Sequence, residues 1–431
     1  MAGVLSNELG DAGANARELV LPGSDWVHRR VQRVSYLEPS LVMVKLSVDF
    51  TPPSSGIGSH VPISVLPKWP PLYRFDYRDG AGEPVPLLTS KQNGVADHAL
   101  LEALVKEVSP ASLSDQKFCK AMVNLTEGPE THLAHSFEIF RERLGGVAGD
   151  PQRERVLEIA ALLPDATLLW WPVAKGGAGQ RTVCKVDYLI RSVETEKRGV
   201  KVLRSLSWKQ PPEFIPLWHL GADANFHAEV EAPEVLRIRS VETKFYRFSR
   251  SAPAATSTIS TPQAAVSKGK VPLQDHVDRE GRLTHVYIAG QRPLAGDLVV
   301  TFAPAVAVVS STFGASVLIA LLTTAFYAFR EQMALADHID AAVAVLILVP
   351  ALIGYVVVRP SDPPLARRYI LGAQLLSLLA GAVPLVMAVL LLRFAHEPSC
   401  LTTTWLGCAV VSWLIAAALG FSLAKALDGD G

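Results

Sequence analysis

Residues 306–329 read VAVVSSTFGASVLIALLTTAFYAF, and this stretch decides the architecture of the chain. It contains no Asp, Glu, Lys, Arg or His. At about 1.5 Å per residue, a helix of this length crosses a hydrocarbon core of roughly 30 Å. In lipid every backbone polar group must be satisfied within the segment, and a helix does this. Three similar runs follow, Ala341–Val358, Ile370–Leu392 and Leu401–Ala424, also free of those five residue types. The reading is an all-α four-helix transmembrane bundle over residues 305–426, behind a soluble N-terminal α+β domain.

The interiors of these runs narrow the role. Proton relays, ion pathways and voltage sensors place an ionisable residue in mid-membrane, and none stands there. The polar groups are Thr323, Thr324, Gln374, Ser377 and Ser412, with Pro350 and Pro384 as expected kink points. Gly314, Ser316, Gly372, Gly381, Gly407 and Gly420 suit close helix contact. A compact anchor is favoured over a channel or transporter. Trp405 is expected in the interfacial belt.

Outward from the spans, loop charge sets the orientation. The loop after the second span holds Arg359, Arg367 and Arg368, whereas Arg330 is accompanied by Glu331, Asp337 and Asp340. Basic loops favour the cytoplasm. With an even span count, both termini and the soluble domain are expected there, in a multi-pass protein of the cell (inner) membrane. Met1–Arg17 has no apolar core of a signal peptide. Residues 1–24 are expected to be a disordered tail.

The 431 residues carry Lys+Arg 41 and Asp+Glu 41. After residue 300 the only Lys or Arg are Arg330, Arg359, Arg367, Arg368, Arg393 and Lys425, so most charge lies in front and nearly cancels there. No basic stripe marks a nucleic-acid partner. The expected partners are the lipid bilayer and a protein or small ligand at the soluble domain, with oligomerisation allowed. Cys119, Cys184, Cys400 and Cys408 show no CxxC spacing and are expected to be reduced.

In residues 25–250, the expected cytoplasmic α+β domain, Val42–Phe50 alternates apolar with Lys45, Ser47 and Asp49, the period of a half-buried strand. Asp25–Tyr36, Ile63–Leu66 and Leu72–Tyr77 read as further strands. Arg78–Gly82 reads as a turn and Val85–Leu88 as a returning edge strand. Thr89 and Gln92 form a capping-box pattern ahead of a helical block. That block continues through Leu113–Leu125, Glu130–Leu144 and Gln152–Leu163. Strands resume at Thr167–Val173, Thr182–Ser192, Val200–Ser207, Ala224–Glu231 and Val235–Phe248. In Ala224–Glu231, His227, Glu229 and Glu231 alternate with Phe226, Ala228 and Val230. Residues 251–273 read as a linker or mobile loop. Residues 274–304 read as a pre-membrane β-hairpin, pairing His285–Ala289 with Leu298–Phe302. A fragment ending near Arg282 is expected to fold without the spans.

Candidate sites are few. Lys175–Arg181 is glycine-rich but precedes a strand rather than a helix, so it reads as a hairpin turn and not a phosphate loop. His132, His135 and Glu138 share a helix face, and the two histidines are the candidate metal ligands. Their i, i+3 spacing departs from that of a zinc helix, and a solvated face is the alternative. Trp170 and Trp171 are candidate lining for an apolar ligand pocket, with core packing the competing reading. His28, Arg29, Arg30 and Arg33 form a basic cluster on a strand, facing solvent or acidic lipid. No nucleophile elbow, HExxH, Walker, Rossmann or kinase signature appears. No catalytic residue and no cofactor are therefore expected, and an enzyme would have to use an unfamiliar motif.

Residues 68–79 (KWPPLYRFDYRD), 86–89 (PLLT), 226–233 (FHAEVEAP) and 285–287 (HVY) resemble segments of four-span membrane proteins of high-GC, actinobacterial-type bacteria. The resemblance implies a soluble front and an apolar C-terminal block, and brings no activity with it. The order of a β-rich domain and four spans is also similar to pentameric ligand-gated channels. The helical block and the lack of a Cys-loop distinguish the chain from these.

Overall fold

The computed structural model describes residues 2–20, 26–38, 41–53, 59–68, 72–127, 132–144, 150–174, 177–191, 212–218, 225–246, 276–277, 282–288, 295–333, 339–357, 364–394 and 398–427. The expected strand Val200–Ser207 and the linker 251–273 lie outside them.

The first element corrects an expectation. Residues 1–24 were expected to form a disordered tail, but helix α1 (Ala2–Asn15) and a single helical turn, α2 (Arg17–Val20), occupy most of them. Leu9, Ala12, Ala16, Leu19 and Val20 are buried. Leu9 is the one large side chain that α1 buries among its described side chains, so no apolar stripe announces the helix. A Cβ added at Gly13 would lie 2.3 Å from the Ala96 carbonyl, so only glycine lets the backbones approach this closely.

β1 (Val27–Glu38) and β2 (Leu41–Phe50) form the antiparallel pair that period-two alternation predicts. In β2 Val42, Val44, Leu46, Val48 and Phe50 are buried while Lys45 is exposed. β3 (His60–Pro67) and β4 (Tyr73–Asp79) follow, and β4 ends in the expected turn. There the Glu83 N–H donates to Asp79 Oδ1 at 2.8 Å, and Gly82 takes φ +94°. Val85–Leu88 does not return as a strand; a single bridge, Arg78 to Pro84, is all that forms.

The helical block is α3 (Ser90–Val108), α4 (Gln116–Glu127), α5 (Leu133–Leu144) and α6 (Pro151–Leu162). The capping box of Thr89 and Gln92 is complete. Asp150 caps α6, with Pro151 in the first turn, where its missing N–H costs nothing. Phe118 of α4 stacks on Phe140 of α5 at 4.9 Å.

β5 (Ala166–Pro172) pairs only with β3, and β6 (Thr182–Arg191) lies between β2 and β4. The expected hairpin turn at Lys175–Arg181 is therefore a crossing between two sheets. Gly179, at φ +78°, donates its N–H to the Pro52 carbonyl at 2.7 Å. The remaining strands are β7 (Pro212–Trp218), β8 (Asn225–Glu231), β9 (Leu236–Tyr246), β10 (His276–Val277), β11 (Leu283–Ile288) and β12 (Ala295–Pro304). The main sheet runs β10-β11-β8-β1-β2-β6-β4, and the second runs β7-β12-β9. The expected hairpin of His285–Ala289 with Leu298–Phe302 does not exist, because β11 pairs with β8 and β12 sits between β7 and β9. β7 carries Pro212 and Pro216, which hide its strand pattern and suit an edge.

Three helices are long and apolar enough to cross a membrane among the described residues: Val306–Ala328, Tyr369–Phe394 and Ser399–Leu427. They belong to α7 (Val306–Ala328), α10 (Pro364–Phe394) and α11 (Pro398–Leu427). Between them lie a short turn, α8 (Arg330–Met333), and the apolar helix α9 (Ile339–Val357), whose qualifying stretch is shorter, Ile339–Ala351. Ser377 donates to the Thr312 carbonyl at 3.3 Å, tying α10 to α7. Gly420 of α11 leaves space for the Phe313 ring. Leucines and valines face outward around the helices, with Leu414 65% and Val389 64% exposed. An apolar girdle of this kind calls for lipid. Trp405, near the start of α11, is fully buried against Phe326.

The soluble and apolar parts share one core. Tyr369 and Ile370 of α10 belong to the same buried cluster as the strands and α3–α6. β12 passes into α7 within two residues, and there the Ala305 N–H donates to the Val235 carbonyl at 2.9 Å. Arg237 of β9 hydrogen-bonds the Ala426 carbonyl near the end of α11.

Candidate functional site

The main sheet has one buried face and one open face. On β1, Arg30, Gln32, Val34 and Tyr36 point into the core, while Arg29 and Arg33 are exposed. The period of two thus divides the expected basic cluster: Arg29 and Arg33 face solvent and Arg30 is buried, while His28, at the irregular start of the strand, is exposed beside Thr51. Burial lowers the Arg30 guanidinium to about 10.

β8 runs parallel to β1 with Val31 opposite His227 and Arg33 opposite Glu229. β11 runs antiparallel on the other side of β8, with Tyr287 opposite His227 and His285 opposite Glu229. These registers gather two imidazoles and a carboxylate on the open face. His227 Nε2 lies 3.0 Å from His285 Nδ1. Glu229 Oε1 is 3.9 Å from His227 Nδ1 and 3.8 Å from His285 Nδ1. One donor atom from each of the three residues lies within 4.8 Å of the others, the arrangement that can hold a metal ion.

The surroundings orient the cluster. The Tyr287 ring stacks on His227 at 4.3 Å with the planes 11° apart. His227 is only 5% exposed. Burial holds its imidazole below the usual range, with Glu229 acting in the opposite direction and His285 and Arg29 adding to the burial effect. The Arg29 guanidinium approaches His227 Nδ1 at 3.5 Å. Arg33 is engaged with Glu231 at 2.8 Å, which raises the guanidinium further. The backbone register also sets His276 of β10 opposite His285.

A second cluster lies on the core side of β1, where the sheets meet α10. The Tyr36 ring packs edge-on to Phe302 at 5.1 Å, and Phe302 packs against Tyr369 at 6.4 Å. The Tyr36 hydroxyl is raised well above its ordinary range by burial, with Glu213 and Tyr369 adding to it.

The residues singled out from the sequence lie elsewhere. His132 and His135 are exposed, with His135 on α5, and no third ligand joins them among the described residues. Trp170 and Trp171, the candidate pocket lining, are both buried. Trp170 is 2% exposed, and its Nε1–H donates to Asp97 Oδ1 at 3.1 Å; Trp171 packs edge-on to Phe50 and Tyr77. A surface groove between α3 and α4 is lined by His98, Glu102, Gln116, Lys117 and Lys120 instead. Arg367 and Arg368 lie in the first turns of α10, and Arg359 lies outside the described residues. The His227–Glu229–His285 cluster is the site that pattern reading missed. Its only local signal was the polar alternation of β8; the third member comes from a strand 58 residues away in sequence.

No protein-family model matches the chain, and no curated protein matches it in sequence. By length and composition, the three long apolar helices are those of a membrane-embedded protein.

Proposed function

We propose that the chain is a four-span protein of the cell (inner) membrane, a sensor, scaffold or anchor. Its α+β domain lies in the cytoplasm and binds a small ligand or partner protein on the open face of the main sheet. The resemblance to four-span proteins of high-GC bacteria fits this reading. One observation carries it: the soluble core continues into the helices through Tyr369 and Ile370. β1 connects the two clusters, since Arg29 and Arg33 flank the histidine site on one face and Tyr36 meets Phe302 on the other. A ligand that stiffens β1, β8 and β11 thereby bears on the start of α10.

Coupling is tested by amide hydrogen exchange on the full chain in lipid nanodiscs. Tyr369→Ala should speed exchange along β1 and β12, and Phe302→Ala should speed it in the first turns of α10. Unchanged exchange across the junction in both variants rejects the coupling. Orientation rests on Arg359, Arg367 and Arg368. Protease added to intact spheroplasts should leave the soluble domain uncut, and cleavage within it would reverse the assignment.

A further inference from the structure

We propose that His227, Glu229 and His285 form a binding site for a divalent transition metal of the zinc class, and that this ion is the ligand of the open face. The inference rests on the ligand-binding reading above and names its ligand.

The donor chemistry selects the class. Two imidazoles and one carboxylate match zinc and its neighbours, whereas magnesium and calcium prefer all-oxygen sets. The spacing fits as well. Donors bound at about 2.0–2.2 Å in a tetrahedron lie roughly 3.4 Å apart. The separations of 3.0 Å between the imidazole nitrogens and 3.8 Å from His285 Nδ1 to Glu229 Oε1 bracket that value. The third pair, a His227 ring nitrogen and a Glu229 oxygen, lies within 4.8 Å and closes by rotation of the two side chains.

The backbone fixes all three donors. His227 and Glu229 are alternate residues of one strand, and His285 is the cross-strand partner of Glu229. Tyr287 stacks on His227 and limits rotation of that ring. The other two ligands remain partly open, with side-chain exposures of 25% for His285 and 21% for Glu229. That leaves the fourth coordination position to water or to a further ligand.

The nearest opposing charge is Arg29. With His227 neutral, a metal on Nε2 requires the ring proton to sit on Nδ1, where Arg29 Nη2 stands at 3.5 Å. Arg29 is exposed and can turn into solvent, but its charge still opposes a cation. Arg33 is held by Glu231 and is partly neutralised.

The test uses the full chain, purified in detergent without a polyhistidine tag and stripped with chelator, then titrated with Zn²⁺ by calorimetry. Co²⁺ titration followed by visible absorption reports coordination geometry. The expected result is one Zn²⁺ per chain and an intense tetrahedral Co²⁺ spectrum. Glu229→Gln should weaken Zn²⁺ binding at least tenfold, and His285→Ala should abolish it. Arg29→Gln should tighten binding about fivefold, the change for removing roughly 1 kcal/mol of exposed repulsion. The His132→Ala/His135→Ala double variant should bind like the parent. Melting curves monitor folding of each variant; if His285→Ala does not fold, Glu229→Gln and Arg29→Gln still decide. A parent that binds no Zn²⁺, a Co²⁺ spectrum that stays octahedral, or affinity unmoved by Glu229→Gln and Arg29→Gln overturns the site. Those failures leave the exchange coupling across the junction standing. Conversely, Zn²⁺ binding without exchange coupling keeps the site and removes the sensor reading.

Discussion

Asp97 shows how one residue ties the domain to pH. It is buried on α3, accepts the Trp170 Nε1–H at 3.1 Å and lies near Lys68. Burial outweighs both partners and raises its carboxyl to about 7. In the folded state the group therefore holds its proton over a range in which the unfolded chain, with an ordinary carboxylate, has released it. Folding binds protons there, so the stability contribution present at low pH is lost as pH rises from about 4 to about 7. Asn keeps an acceptor for Trp170 and cannot ionise. Asp97→Asn should gain melting temperature over the parent between about pH 5 and about pH 8. Parallel pH profiles would mean that the Asp97 carboxyl does not change its protonation in the folded state over that range.

At the scale of elements, the consequential finding is α1. Its Gly13 passes so close to Ala96 that a larger side chain must push the helices apart. Gly13→Leu should cost roughly 1–3 kcal/mol, read as a lower midpoint in chemical denaturation. An unaltered midpoint would show that α1 docks weakly. Such a helix was illegible because, among its described side chains, it buries one large residue, Leu9, beside Ala12 and the close glycine contact, too sparse a stripe to read. Elements whose signal is local were readable: the alternation of β2, the capping box at Thr89 and the apolar runs from Val306 onward. Pairing was not readable, because adjacency in sequence is a poor guide once a sheet takes partners from far along the chain. β11 and β12 look like a hairpin yet belong to different sheets. The same limit hid the site. His227 and Glu229 were visible as the polar side of a strand, but only the β8–β11 register supplies His285.

For the whole molecule, the proposed anchor role and the channel alternative differ in what the helices would conduct. Among the described residues, Thr312, Ser316, Thr323 and Thr324 donate to carbonyls one turn earlier on their own helix. The purified chain in planar bilayers should carry no reproducible single-channel current. Currents altered by substitution of Thr323 or Gln374 would establish the channel alternative.

The joint between domain and helices also governs the order in which the protein can be made. Tyr369 and Ile370 complete a core whose other members are synthesised earlier, and β12 is the middle strand of its sheet. A nascent chain that has emerged only as far as Arg282 still lacks β11, β12 and those two residues. The buried cluster of the N-terminal domain is therefore complete only once the start of α10 has been made. Making the apolar helices becomes a step in completing the N-terminal domain, and chains that stop short of them present an unfinished sheet to the cell's chaperones and proteases.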